Sequence, residues 1–161
     1  MWFAVKTKSR HESLAARSLA SRGLEPFLPV YRSRRQWSDR VKVVELPLFG
    51  GYFFARLNPD ALLPVLQTPG VSYVVGFGGK PAPIPAQEIE AIRRLVASDL
   101  PANPHPYLHS GDRVRVKSGP LAGLEGTLVR VRNEWRFVLR VQMLQRAVSV
   151  EVDSELVEPL R

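Results

Sequence analysis

The residue types that ordinarily carry reaction chemistry are sparse in this 161-residue chain and poorly spaced for it. Histidine occurs three times, as His11, His105 and His109, the last two in or beside a proline-rich stretch. There is no HExxH pair, no GxSxG elbow and no pair of carboxylates at the spacing of an acid–base couple. Cysteine is absent, which excludes a disulfide scaffold, a thiolate zinc site and a cysteine nucleophile together. Gly76-Phe77-Gly78-Gly79-Lys80 looks like a phosphate loop only in composition. It lacks the GxxxxGK[ST] spacing, and Pro81 removes a backbone N–H that would cradle phosphate. A strand-exit turn is the favoured reading there. The chain is therefore expected to have no catalytic residue, no metal and no cofactor.

Binding chemistry is better represented. Lys and Arg number 23 against 15 Asp and Glu, a net charge of +8, and clustered cations attract polyanions such as nucleic acid. The excess is uneven: residues 1–100 hold 14 cations and 8 acids, net +6, while residues 101–161 hold 9 and 7, net +2. Lys6, Lys8 and Arg10, followed by His11, sit where a first strand passes into a first helix. Strand alternation puts Lys6 and Lys8 on one side, beside a helix N-terminus that itself attracts phosphate. A second set, Arg32, Arg34, Arg35, Arg40 and Lys42, surrounds Trp37 in a polar loop. Such a set stacks an unpaired base while holding its backbone, or else it is a solvated hairpin whose Trp folds back onto a sheet.

These side chains need elements to position them. Trp2–Thr7 is a strand candidate, and Ser9-x-x-Glu12 reads as a capping box opening an amphipathic helix over 9–21, with Leu14, Ala15 and Leu19 on one stripe and Gly23 after it. That strand and cap also argue against a removable leader, so Met1 is read as the start of a cytoplasmic fold. Residues 40–46, 52–57 and 71–77 read as further strands, and Asn58-Pro59-Asp60 as a helix start with Pro64 keeping it short. Residues 85–97 form the second good helix, with Ile89, Ile92 and Val96 on one face. The order β-α-β-β-α-β-α predicts an α+β domain, an antiparallel sheet with flanking helices. No apolar run reaches the ~18 residues of a membrane helix.

The stretch DLPANPHPYL, 99–108, carries three prolines and reads as an extended linker, dividing a domain at 1–98 from one at 109–161. Beyond it, Val114, Val116, 127–131, 136–142 and 147–152 are short strand candidates separated by glycine-rich turns, which suits a small closed barrel. Between the two cationic sets lies the strongest apolar signal, Pro47 to Leu57. Alternation there puts Tyr52 and Phe54 on one face and Phe53 and Ala55 on the other. Either helices cover both faces, or one face waits for a partner.

Four blocks resemble the NusG family of bacterial transcription factors: WFAV at 2–5, PLFGGYFF at 47–54, the segment 71–85 ending GFGGKPAPIP, and Gly111–Thr127, which resembles the KOW motif of that family's SH3-like barrel. The loop 35–40 and the PLFGGY form look like the specialised paralogues that suppress termination in long polysaccharide operons. The resemblance implies an N-terminal domain gripping the RNA polymerase clamp helices through an apolar patch, which at matching positions is Phe49, Tyr52 and Phe54. It also implies contact of non-template DNA with Lys8, Arg10 and His11; the charge pattern itself adds Lys6, Arg34, Arg35 and the ring of Trp37 as candidate nucleic-acid contacts. The KOW domain would recruit ribosomal protein S10 or Rho through Met143, Leu144 and Arg146, where the housekeeping factor carries an aromatic and a glycine. Val-rich alternation over 137–141 and 148–152 favours a β domain over a helical one. The alternative class is a ribosome- or RNA-binding KOW protein without polymerase contact. The expected state is a monomer with no membrane contact.

Overall fold

The structure, a computed structural model, describes residues 1–98, 100–107 and 111–160, with the backbone alone at Trp37. The Asp99 and Leu108 ends of the expected linker, and His109, lie outside these residues. The chain divides into two compact units, Met1–Ile89 and Glu90–Arg161.

The first unit is built on a four-stranded antiparallel sheet. Its strands are β1 (Trp2–Thr7), β2 (Glu25–Phe27), β5 (Tyr52–Arg56) and β6 (Val71–Val74), in the order β2-β5-β1-β6. β1 is central, with Val5 opposite both Phe53 and Val74. Phe3, Val5, Phe53 and Ala55 point to one face, where Ala15, Ala16 and Leu19 of α1 (Glu12–Ser21) and Val65 of α2 (Leu63–Leu66) cover them. On the other face Phe54 stacks near Phe27 (6.1 Å) and meets Phe49 edge-on (5.7 Å). Both faces are thus filled, as a strand apolar on both sides requires.

Several local expectations change. The helix opens at Glu12 rather than Ser9, and no side chain caps it, so the capping box is not formed. Leu14 is 42% exposed, and the buried stripe is Ala15, Ala16 and Leu19. Asn58 does not start a helix. Its side-chain oxygen accepts from Asp60 N–H (3.0 Å) in a turn, and Pro64 stands in the first turn of α2 instead. The segment 71–77 breaks after β6, and β7 (Gly76–Phe77) with β8 (Lys80–Pro81) makes a two-pair hairpin from the loop that resembled a phosphate cradle. The Arg-rich set lies on a hairpin, one of its two expected forms: β3 (Val30–Trp37) and β4 (Arg40–Pro47), the latter over the strand expected at 40–46, pair over eight positions in a two-stranded sheet of their own. Helix α3 (Ala86–Ala97) runs across the division between the units.

The second unit is an antiparallel sheet of six strands. These are β9 (Ala102–His105), β10 (Asp112–Val116), β11 (Glu125–Val131), β12 (Glu134–Val141), β13 (Arg146–Val152) and β14 (Val157–Pro159), in the order β14-β10-β11-β12-β13-β9. The ladder runs in a line from β14 to β9, and among the described residues no pairing joins its two ends. The proline-rich stretch expected to be an extended linker supplies an edge strand over 102–105, the one place in a sheet where Pro104 costs no central ladder bond. Gly126 lies where a Cβ would stand 2.6 Å from the Phe137 ring, so β11 approaches β12 more closely than any side chain permits.

Candidate protein-binding and nucleic-acid surfaces

The turn entering β5 organises the first surface. Thr7 N–H donates to Gly51 O (2.8 Å), and Gly51 N–H donates to a carboxylate oxygen of Glu12 (3.0 Å). Gly51 has φ +86°, and a Cβ there would stand 2.6 Å from Lys6 Nζ. Lys6 is thereby laid along the sheet with its ammonium 4.9 Å from the Tyr52 ring centroid. The register places Lys6 between Tyr52 of β5 and Tyr73 of β6. Tyr73 is 50% exposed, and Phe77, on the neighbouring small hairpin, is 71% exposed.

This arrangement divides the apolar patch anticipated at Phe49, Tyr52 and Phe54. Phe49 and Phe54 are 1% and 0% exposed and pack on each other, so neither offers surface. Tyr52 is half-buried and keeps an outer edge. Strand alternation names the face a side chain points to, not what lies over it, so periodicity placed Phe54 correctly on its face without revealing its cover. Tyr73 and Phe77 went unnoticed because they sit in a segment read as one continuous strand.

The second surface is the β1–α1 junction. Lys8 N–H donates to Gly70 O (2.9 Å), pinning the junction to the start of β6. Arg10 follows with φ +63°, a left-handed conformation that turns the chain into α1. Lys8 and Arg10 are exposed. The His11 ring, half-buried, hydrogen-bonds through Nδ1 to Ser9 O (2.7 Å), which fixes it as a local brace. The cations anticipated together are thus separated: Lys6 belongs to the tyrosine pair, Lys8 and Arg10 to solvent.

The third is the β3–β4 hairpin. Its register pairs Arg32 with Glu45, Arg34 with Val43, and Gln36 with Val41 on one face. Arg35 opposite Lys42, and Trp37 opposite Arg40, belong to the other. Arg34, Arg35 and Arg40 are exposed.

In the second unit, the loop anticipated to bind a partner forms a short 3-10 turn over Gln142–Leu144, closed by Gln145 at φ +52°. Leu144 is 7% exposed and belongs to the core, Met143 is half-buried, and Arg146 is exposed at the start of β13. His105 stands opposite Ala147 on β9. Burial, and next the nearby Arg136 guanidinium, hold its pKa below the usual histidine value. No group of three or more metal-ligating side chains occurs among the described residues.

An α+β unit with filled sheet faces is continued by an antiparallel β unit, and exposed aromatic and cationic side chains mark its candidate surfaces. Residues 1–93 match the family described as transcription termination factor NusG, and the chain belongs to the NusG family. Relatives include the transcription termination/antitermination protein NusG of Pseudomonas aeruginosa, 30% identical over 172 residues, covering 98% of this chain and 97% of that protein. That of Lactococcus lactis is 29% identical over 175 residues, covering 99% and 93%. A solved structure of Thermotoga maritima NusG shares the fold, with a TM-score of 0.60 at 23% identity over 99% of this chain and 97% of that one.

Proposed function

We propose that the protein is a transcription elongation and antitermination factor, acting in the cytoplasm as a monomer and without catalysis of its own. The observation that carries this reading is membership of the NusG family over the whole of the first unit, together with relatives, named for termination and antitermination, that match nearly the full chain. The first domain, 1–98, grips the clamp helices of RNA polymerase. Bridging the cleft in this way disfavours clamp opening, so that pausing and termination become less populated outcomes. The grip falls on Tyr52, held by Lys6 and backed by the buried Phe49 and Phe54, with the exposed Tyr73 and Phe77 alongside. Lys8 and Arg10 touch the non-template DNA strand, and the hairpin cations Arg34 and Arg35 add a second nucleic-acid contact. The β domain at 109–161 takes the part of the family's SH3-like KOW barrel and recruits a partner, ribosomal protein S10 or Rho, beside Met143 and Arg146, with Leu144 supporting the turn from beneath.

The test is transcription in vitro across an intrinsic terminator with purified core polymerase. Added protein should raise read-through, and Tyr52→Ala should abolish the effect while the variant stays folded. Unchanged read-through, together with no retention on core polymerase, would sink the proposal. Tight, salt-sensitive RNA binding without polymerase retention would instead point to a ribosome-associated protein.

A further inference from the structure

Hairpin β3–β4 has a feature that neither its own stability nor a solvated role explains. Arg35 and Lys42 stand directly opposite each other, and like charges in that position oppose strand pairing. Arg40 lies one pair further toward the tip on the same face. Between residues 32 and 45 there are five cations and two acids, Asp39 and Glu45. Among the described residues, none of Arg32, Arg34, Arg35 and Arg40 makes an ion pair within 4.0 Å. A ribbon that gathers four such arginines is stabilised by a polyanion.

The opposite face has a different chemistry. Toward the base of the hairpin, Tyr31, Ser33, Val44 and Leu46 are half-buried on the Arg35 face, which marks that side as the inner one. The outer face carries Arg34, Gln36, Val41 and Val43 in two adjacent cross-strand pairs, all exposed. Val41 and Val43 are 56% and 54% exposed, unusual for β-branched apolar residues with nothing over them. Arg, Gln and small apolar groups are the side chains that read base edges in the major groove: Arg pairs with guanine, Gln with adenine, and an apolar group with the thymine methyl. The dimensions agree. Two strands about 4.8 Å apart fit a groove about 12 Å wide, and the ~17 Å from Arg32 to Trp37 exceeds its depth of about 8.5 Å.

We propose that the outer face of the β3–β4 hairpin, formed by Arg34, Gln36, Val41 and Val43, reads double-stranded DNA in the major groove, while Arg35, Arg40 and Lys42 reach past the ribbon edges to the flanking phosphates. This rests on the hairpin binding nucleic acid at all, and sharpens it from an unpaired strand to a B-form duplex with a sequence preference. A-form RNA is excluded as the ligand because its major groove is too narrow for a ribbon.

The test uses the full chain in fluorescence-anisotropy titrations at several salt concentrations. The probes are a DNA duplex chosen by selection from a randomised library, a scrambled duplex, each single strand, and the RNA duplex of the same sequence. The selected duplex should bind about tenfold tighter than the scrambled one. Arg34→Ala with Gln36→Ala should bring that ratio close to one and leave the slope of log K against log salt little changed. Arg35→Ala with Lys42→Ala should weaken both duplexes alike and reduce the slope by about 2. All four positions are exposed, so each variant should keep the circular dichroism spectrum of the parent, which is checked before titration. Equal affinity for a single strand or for the RNA duplex would overturn duplex readout while leaving nucleic-acid binding intact. Absence of binding to every probe would overturn both. Loss of preference and of slope together in either pair of variants would overturn the division of labour between the faces.

Discussion

Glu12 and Gly51, 39 residues apart, are joined by a 3.0 Å hydrogen bond from the Gly51 amide to the Glu12 carboxylate. Glu12 is 8% exposed, so this contact satisfies a buried acid at the first turn of α1 and an amide in the turn before β5. It holds the helix start, the turn that leads into Tyr52, and β1 with its Lys6 in one arrangement. Glu12→Ala leaves the amide without its partner and should cost about 1–3 kcal/mol in urea unfolding. Glu12→Gln keeps an acceptor oxygen and should recover part of the loss. A Glu12→Ala midpoint equal to that of the parent would show that the bond contributes nothing.

The division between Tyr52 and the phenylalanines predicts opposite phenotypes from one strand. Phe54→Ala removes a fully buried ring packed on Phe27 and Phe49, and should destabilise the fold by about 3–5 kcal/mol. Tyr52→Ala gives up a half-exposed ring and one cation–π contact, and should cost only about 1 kcal/mol while weakening retention on core polymerase. Chemical denaturation alongside pull-down separates the two. If Tyr52→Ala binds polymerase as the parent does, the grip lies elsewhere on the first unit.

His105 predicts a pH dependence of the second unit. Burial and Arg136 lower its folded pKa below the unfolded value of 6.5, so the unfolded chain binds the proton more readily. Stability therefore rises with pH across this window: it is complete above about 6.5, falls as the pH drops from there through the lowered folded value, and then levels off. Thermal unfolding followed between pH 7.5 and 5 should show that fall, and His105→Gln should flatten the part that belongs to β9. An identical profile in the variant would assign the pH dependence to other groups.

How much of this was legible in the sequence follows from the range of each interaction. Helix 86–97 and strand 52–56 are written in local periodicity, because Ile89 with Ile92, and Phe53 with Ala55, repeat at the helical and strand spacings. The Glu12–Gly51 bond is not, because the same Glu fits a local capping box and only the tertiary fold chooses between the two partners. In the β3–β4 hairpin, β4 is legible as the strand over 40–46, whereas β3 is hidden by its arginines and serine, which erase the alternation of apolar residues that marks a strand, although the register is regular over eight pairs. β9 was hidden by its prolines, which read as linker unless an edge position is available. At the candidate surfaces, residue types were informative about chemistry, whereas exposure was not: Phe54 and Leu144 are core, and Lys6 is held against a ring.

The β1–α1 junction supplies the last prediction, because its two exposed cations differ in backbone strain. Lys8 lies in the bend after β1 and is not in the left-handed region, whereas Arg10 sits at φ +63°, where a side chain costs energy that glycine does not incur. If Arg10 is kept for its charge, Arg10→Gly should leave stability near that of the parent, since relief of the strained φ offsets the greater freedom of glycine in the unfolded chain. Its binding to single-stranded DNA should nevertheless weaken. Combined with Lys8→Ala, it should lower the slope of log K against log salt by about 1.4, the value for two lost phosphate contacts on a single strand. Lys6→Ala should leave that slope unchanged, because its ammonium is engaged over Tyr52. A slope that falls with Lys6→Ala but not with the junction pair would reverse the assignment of these three cations.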